Sequence, residues 1–191
     1  MGGRPHGKEL GHATKSLSMK AESKPKSDFR EATELKRAPK ATVDGIAGMI
    51  LAFADVSGTP EQAFRALTTD EILKWWKFPG MYHQKDWKAD LRVCGAWSVA
   101  VQLEAGGEVY ADGEFCEIDF PRKLVMTRKF DAHPFQGNRE TTITNRFEPS
   151  PHGTLVTVRD EGFIGRSQAA YGNAEIWEKV LGWLDAYLGS R

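Results

Sequence analysis

Arg128, Asn145 and Asp160 are polar residues set in runs where apolar residues otherwise occupy every second position. That alternation is typical of β-strands and places the three side chains on the same face of three successive strands. Charged groups are rarely buried unless they are paired, so we expect Arg128 and Asp160 to form a buried cluster with Asn145 between them. Such a cluster could orient the polar end of an otherwise apolar ligand, and an arginine could bind a ligand carboxylate through two hydrogen bonds.

Two other interpretations of these residues stay open at the level of the sequence. The pair could be purely structural, or the strand register could differ by one residue, which would turn all three side chains towards solvent. Asp160 is also the single candidate for catalysis, as a general base beside Arg128, whose guanidinium would support an oxyanion. Nothing beyond these two residues argues for catalysis, so we favour a non-enzymatic function.

Other catalytic and cofactor motifs are missing from the sequence. It holds no HExxH, no CxxC, no Gly-x-Ser-x-Gly elbow and no phosphate-binding loop, so we expect neither a metal nor another cofactor. Cys94 and Cys116 are too few for a disulfide framework and indicate a reducing compartment, from which we predict a cytoplasmic protein.

The overall composition excludes two classes of partner. The chain has 191 residues with 26 basic and 26 acidic side chains, whereas a dedicated nucleic-acid binder normally carries a basic excess. Its longest apolar run, residues 48–54, is far shorter than the roughly 20 residues that cross a membrane. We therefore expect neither nucleic acid nor membrane as a partner.

Charge and aromatic residues divide the chain into two parts. Residues 1–40 hold ten basic and five acidic residues but only one aromatic residue, Phe29. A segment this polar buries too little apolar surface to offset the entropy of ordering it. We predict a disordered basic extension over residues 1–44 and one folded domain over 45–190. A basic arm that contacts an acidic partner is the functional alternative for the extension.

The folded part begins with a strand and two short helices. Residues 46–56 are rich in Ile, Val, Met and Phe and predict the first strand. Thr59 and Gln62 have the spacing of a capping box, with Pro60 at the first helical position. Thr68 and Glu71 repeat that spacing and predict a second short helix.

A series of strands and a final long helix complete the predicted domain. The strands are too closely spaced for helical crossovers, so the sheet must be antiparallel. Residues 167–188 carry apolar side chains at helical spacing, and this stripe must pack on the sheet. We predict an α+β helix-grip fold. A curved antiparallel sheet of about seven strands wraps around the C-terminal helix, and two short helices lie between strands 1 and 2.

This arrangement resembles the SRPBCC (START-like, helix-grip) superfamily, and within it the branch named for the activator of heat-shock protein 90 ATPase. The resemblance covers roughly residues 46–190, and its motifs occur in the family's order. The matching segments are residues 59–68 (TPEQAFRALT), Trp75-Trp76, residues 90–97 (DLRVCGAW), residues 113–115 (GEF), residues 121–125 (PRKLV), Gly153-Thr154, residues 161–163 (EGF) and residues 177–188.

The resemblance implies a cavity between the sheet and the long helix, because members of the superfamily bind apolar molecules there. Alternation within the matched strands then suggests which side chains face it, although ordinary core packing is the alternative for most of them. Trp75, Trp76, Tyr82 and Trp87 would form either a lid over the cavity mouth or part of the core. The candidate ligand-binding residues are Trp76, Trp97, Val99, Phe115, Met126, Arg128, Asn145, Asp160, Trp177 and Leu181.

Three functions fit these observations. The favoured one is non-enzymatic binding of a small apolar or amphipathic molecule in the cavity. The second, which rests on the resemblance alone, is a chaperone-interaction module of the heat-shock protein 90 ATPase activator type. The third is a cyclase or hydrolase that acts inside the cavity and uses Asp160.

Overall fold

A computed structural model describes residues 35–131 and 139–191 of the chain. All nine strands of this part form one antiparallel sheet with the order β1-β2-β9-β8-β7-β6-β5-β4-β3. The elements in chain order are β1 (Lys40–Asp44), β2 (Met49–Val56), α1 (Pro60–Thr68), α2 (Ile72–Trp75), β3 (Lys77–Phe78), β4 (Tyr82–Ala89), β5 (Ala96–Leu103), β6 (Glu108–Asp119), β7 (Lys123–Phe130), β8 (Thr141–Ser150), β9 (Gly153–Glu161) and α3 (Ser167–Gly189).

The sheet has two more strands than the seven predicted. One is β1 at the edge of the sheet. Its residues, KATVD, alternate between exposed and half-buried positions, and their polar sequence has no apolar run that would predict a strand. The other is β3, which at two residues is too short to leave a periodic pattern. Residues 1–34 of the predicted extension lie outside the described residues, whereas residues 40–44 pair with β2 from Lys40↔Phe53 to Asp44↔Met49.

The segment just before β1 is tied to both β2 and α3 by buried and half-buried carboxylates. The Arg37 backbone N–H donates to Asp55 Oδ2 at 2.7 Å, and Arg37 Nη1 donates to Asp55 Oδ1 at 3.0 Å. Lys36 Nζ lies 2.7 Å from Asp185 Oδ2, and the Ser57 backbone N–H donates to Asp185 Oδ1 at 2.8 Å. Residues 36 and 37 therefore belong to the folded domain.

These carboxylates should make the fold less stable in acid. Burial of Asp55 raises its pKa, but hydrogen bonds from Arg37 and Ser150 and the Arg37 charge outweigh burial and leave that pKa below its usual value. Burial also raises the pKa of Asp185, but hydrogen bonds from Lys36 and Ser57 and the Lys36 charge outweigh this effect. The pKa of Asp185 is therefore below its usual value as well. A carboxyl with a lowered pKa stabilises the folded state above its unfolded pKa of about 3.9, and this contribution disappears as the pH falls through the folded value.

We therefore expect the free energy of unfolding, measured with urea, to decrease as the pH falls from about 5 to 3. The variant Asp55→Asn should be less stable at neutral pH and should show a shallower decrease, because one titrating carboxyl is gone. Asp112→Asn, at an exposed position, serves as the matched control. An identical pH slope in Asp55→Asn and the unmodified protein would contradict the assignment.

The sheet curves around α3, as predicted. The Ala41 backbone N–H of edge strand β1 donates to Glu178 Oε1 at 2.8 Å, and the Phe78 ring of the opposite edge strand lies 5.6 Å from that of Trp183. Glu178 and Trp183 are about 7.5 Å apart along the helix axis, whereas the edges of a flat nine-stranded sheet would be about 38 Å apart. Both edges can reach one helix only because the sheet wraps around it.

The predicted apolar stripe of α3 is confirmed, since all of its members are buried. They are Ala170, Ala174, Trp177, Val180, Leu181, Leu184 and Leu188. Opposite this stripe, alternate residues of β2, from Ile50 to Val56, are fully buried against the helix. Burial of each valine, leucine or isoleucine among them stabilises the fold by about 1.5–3 kcal/mol, and each alanine contributes less.

One predicted capping box forms and the other does not. Thr59 Oγ1 accepts from the Gln62 backbone N–H, and Gln62 Oε1 accepts from the Thr59 N–H at 2.8 Å, which starts α1 as expected. Thr68 instead closes the end of α1, because its hydroxyl donates to the Phe64 carbonyl at 2.9 Å. Thr68 therefore does not cap α2. The residue at the N-cap of α2 is Glu71, and its side chain makes no capping hydrogen bond.

Candidate functional site

The predicted ion pair forms in the interior of the domain. Arg128 of β7 is 8% exposed and Asp160 of β9 is fully buried, with β8 between the two strands. Arg128 Nη2 donates to Asp160 Oδ2 at 2.7 Å. Because strand residues alternate between faces, both side chains reach the concave side of the sheet, where each neutralises the charge of the other.

Helix α3 completes the cluster with two further hydrogen bonds. The Trp177 indole N–H donates to Asp160 Oδ2 at 3.0 Å, and Asn173 Oδ1 accepts from Arg128 Nη2 at 3.3 Å. The Asn173 amide in turn donates to the Ala169 carbonyl at 2.9 Å. Sequence analysis missed Asn173, although the signal was present: it is four residues before Trp177 and therefore on the buried face of α3.

Asn145 is buried on the same face but does not lie between Arg128 and Asp160 as predicted. In the antiparallel register, Asp160 is opposite Ile143, whereas Asn145 is opposite Val158 and Leu124. Asn145 is thus one inward position further along β8 than the residue opposite Asp160, since inward positions recur every two residues. Its Oδ1 is buried and has no hydrogen-bond partner among the described residues.

A cavity of about 240 Å³ lies between the concave face of the sheet and the helices α2 and α3. Its wall is mainly aliphatic and aromatic, and it includes side chains from strands β4 to β8. Seven of the ten candidate residues line it, namely Trp76, Trp97, Val99, Met126, Arg128, Asn145 and Trp177. The other three, Phe115, Asp160 and Leu181, are fully buried but lie outside the lining.

The aromatic residues of the helix-to-strand passage divide between cavity and core. Trp76, Tyr82 and Trp87 line the cavity, as a lid would. Trp75 packs in the core instead, where its indole N–H donates to the Ala66 carbonyl at 3.1 Å. The cavity also includes Gln84, which sequence analysis did not single out because β4 alternates poorly between polar and apolar residues.

The electrostatics of the cavity are simple. Arg128 is the only charged side chain among the described lining residues, and Asp160 lies against its guanidinium. Burial raises the pKa of Tyr82, so its hydroxyl stays protonated at neutral pH. Four buried polar atoms of the lining have no hydrogen-bond partner within the described part of the chain: Arg128 Nε, Trp76 Nε1, Gln84 Oε1 and Asn145 Oδ1.

Two other kinds of site are absent from the described ranges. No group of three or more His, Cys, Asp or Glu side chains in residues 35–131 and 139–191 is arranged to hold a metal ion. In the same residues, no helix has the length and apolar character needed to cross a membrane.

A sheet wrapped around a long C-terminal helix, with a cavity between them, defines the helix-grip class of the SRPBCC superfamily. The family model described as "Activator of Hsp90 ATPase homolog 1-like protein" matches residues 57–189, and the chain belongs to this family. The match begins just before α1 and ends at the last residue of α3, so it includes every element that lines the cavity.

Solved structures share the fold at low sequence identity. A protein from Rhodobacter sphaeroides is 18% identical with a TM-score of 0.68, over 81% of this chain and 99% of that one. One from Arthrobacter aurescens is 17% identical with a TM-score of 0.68, over 80% and 92%. An AHSA1-like protein from Aeromonas hydrophila is 19% identical with a TM-score of 0.58, over 73% and 93%. No curated protein matched the sequence.

Proposed function

We propose that this protein binds a small apolar or amphipathic molecule in the cavity between sheet and α3, without altering it chemically. The observation that carries this proposal is an apolar cavity into which a few buried polar groups converge. Nearly all buried polar atoms in folded proteins have a hydrogen-bond partner. The lining atoms Arg128 Nε, Trp76 Nε1, Gln84 Oε1 and Asn145 Oδ1 have no partner within the described part of the chain, and a bound molecule would supply one.

The size of the cavity limits the ligand. An apolar cavity of about 150 Å³ holds benzene, so 240 Å³ suits a molecule of about two fused rings or an equivalent acyl chain. Four tryptophans line the wall, Trp76, Trp87, Trp97 and Trp177, and they favour ring-bearing ligands because aromatic faces attract one another beyond their burial. Sterols and long acyl chains are too large for this cavity.

A thermal-shift screen of the whole protein tests the proposal. The panel contains aromatic polyketides, quinones, fatty acids and sterols. A ligand present at 100 times its Kd should stabilise the folded state by about 2.7 kcal/mol, a shift of several degrees for a domain of this size. We expect small ring-bearing compounds to produce this shift and sterols to produce none.

A pair of variants distinguishes cavity binding from surface binding. Ala111 is buried in the cavity wall, and Ala111→Leu places three more carbon atoms there, so it should abolish the shift. Ala96→Leu, at an exposed position on the neighbouring strand, should leave it intact. Equal shifts in the two variants would contradict binding in the cavity.

The two alternative functions predict different results. A chaperone-interaction module, which the description of the family supports, would give no shift with any compound and would be retained by immobilised heat-shock protein 90. An enzyme would need Asp160 to reach its substrate. Asp160 lies outside the cavity lining, and its Oδ2 accepts hydrogen bonds from both Arg128 and Trp177, so this geometry favours binding over catalysis.

A further inference from the structure

We infer that the cavity selects uncharged ligands, specifically planar ring compounds with a hydroxyl or amide N–H group, and that Arg128 is not an anchor for a ligand carboxylate. This inference rests on the proposed function and names the chemical class of the ligand. The decisive observation is that Asp160, fully buried 2.7 Å from the Arg128 guanidinium, cancels the only positive charge among the described lining residues.

The ion pair makes an anionic ligand unfavourable. A carboxylate placed beside Arg128 would also lie close to the Asp160 carboxylate, and it would bring an uncompensated negative charge into an apolar environment. Moving an ion from water into such an environment costs several kcal/mol unless an opposite charge compensates it. Arg128 Nη2 is already engaged by Asp160 and Asn173, so it does not offer a free guanidinium edge for a carboxylate.

The remaining polar atoms match an uncharged hydroxyl or amide. Gln84 Oε1 and Asn145 Oδ1 are acceptors without a donor among the described residues, and Arg128 Nε and Trp76 Nε1 are donors without an acceptor there. One ring hydroxyl could donate to an amide oxygen and accept from Arg128 Nε, whereas a carboxylate has no hydrogen to donate. The Asn173 amide does not compete for the ligand, because its oxygen and its nitrogen both have partners within the domain.

Three naphthalene derivatives of nearly equal shape test this class. Naphthalene has no polar group, 2-naphthol is uncharged at pH 7, and 2-naphthoate is ionised. Binding to the whole protein is measured by quenching of tryptophan fluorescence. We expect 2-naphthol to bind about tenfold more tightly than naphthalene and at least tenfold more tightly than 2-naphthoate.

Two variants tie the preference to the residues named. Asn145→Leu should reduce the advantage of 2-naphthol over naphthalene while naphthalene binding is retained, and Thr144→Leu, on the opposite face of β8, is its matched control. Asp160→Asn keeps the shape of the side chain but leaves the Arg128 charge uncompensated. In this variant, the affinity for 2-naphthoate should therefore rise about tenfold relative to the affinity for 2-naphthol. Thermal unfolding of each variant verifies that it is folded.

The outcomes separate this inference from the proposed function. Tighter binding of 2-naphthoate than of 2-naphthol, or equal binding of all three compounds, would overturn the inference and leave the cavity as a binding site. Unchanged selectivity in folded Asp160→Asn would overturn the role assigned to the ion pair. Failure of all three compounds to bind would contradict the proposed function and, with it, the inference.

Discussion

Replacing Arg128 with leucine should lower the free energy of unfolding by about 3–5 kcal/mol. The substitution leaves the Asp160 carboxylate fully buried without its cationic partner, and among the described residues only the Trp177 indole N–H still donates to it. A buried charge without its counterion is one of the most destabilising defects known in proteins, far beyond the 0–1 kcal/mol typical of a surface pair. Urea denaturation monitored by tryptophan fluorescence measures the difference.

A double-mutant cycle shows whether this loss arises from the pair. If it does, Arg128→Leu with Asp160→Leu should recover most of the stability lost by Arg128→Leu alone, because both buried charges are then removed. Arg146→Leu is the matched control, since Arg146 is exposed on the neighbouring strand. It should change the free energy of unfolding by less than about 0.5 kcal/mol. A change of under about 1 kcal/mol in Arg128→Leu would argue against a buried pair.

Replacing Gly113 with alanine should destabilise the domain by about 2–4 kcal/mol. Gly113 of β6 is opposite Trp97 of β5, and the Trp97 indole crosses it to donate to the Thr127 carbonyl of β7 at 3.1 Å. A Cβ at position 113 would lie 2.0 Å from Thr127 O and 2.8 Å from Trp97 Nε1. Since the first contact is with the backbone, rotation of a side chain cannot relieve it.

The same substitution should also weaken ligand binding, because Trp97 lines the cavity and would have to move. Gly172→Ala is the matched control: a Cβ there would meet nothing within 4 Å, and alanine is favoured by up to about 1 kcal/mol in a helix. Trp97→Phe separates the loss of the Trp97 hydrogen bond from the steric clash at position 113. It removes the hydrogen bond, worth about 1 kcal/mol, and leaves the space above Gly113. A Gly113→Ala protein as stable as the unmodified one would contradict this account.

The value of the Arg128–Asp160 pair need not lie in stability. A buried ion pair costs desolvation that its Coulomb attraction barely repays, and an apolar pair of the same size is often as stable. In this protein the pair has a further consequence, because it places a guanidinium in the cavity wall while keeping the cavity uncharged. Specificity for an uncharged ligand is therefore the functional reason that we propose for it.

Strand periodicity, anchored on the segments that match the family, was enough to predict that Arg128, Asn145 and Asp160 face the interior. Side chains alternate between the two faces of a strand, so once Val156 and Val158 are assigned to the core, Asp160 must follow them. The same argument correctly placed Arg128 and Asn145, and helical spacing correctly placed the apolar stripe of α3. These predictions hold because each depends only on residues that are neighbours in sequence.

The tertiary structure decided which of these inward residues meet. Register between β8 and β9 set Asn145 one row away from Asp160, and the docking of α3 brought Asn173 and Trp177 to the ion pair. Periodicity cannot encode such contacts, because they depend on the relative displacement of elements distant in sequence. The volume of the cavity is likewise a property of the assembled sheet and helices, and no short segment of the chain contains it.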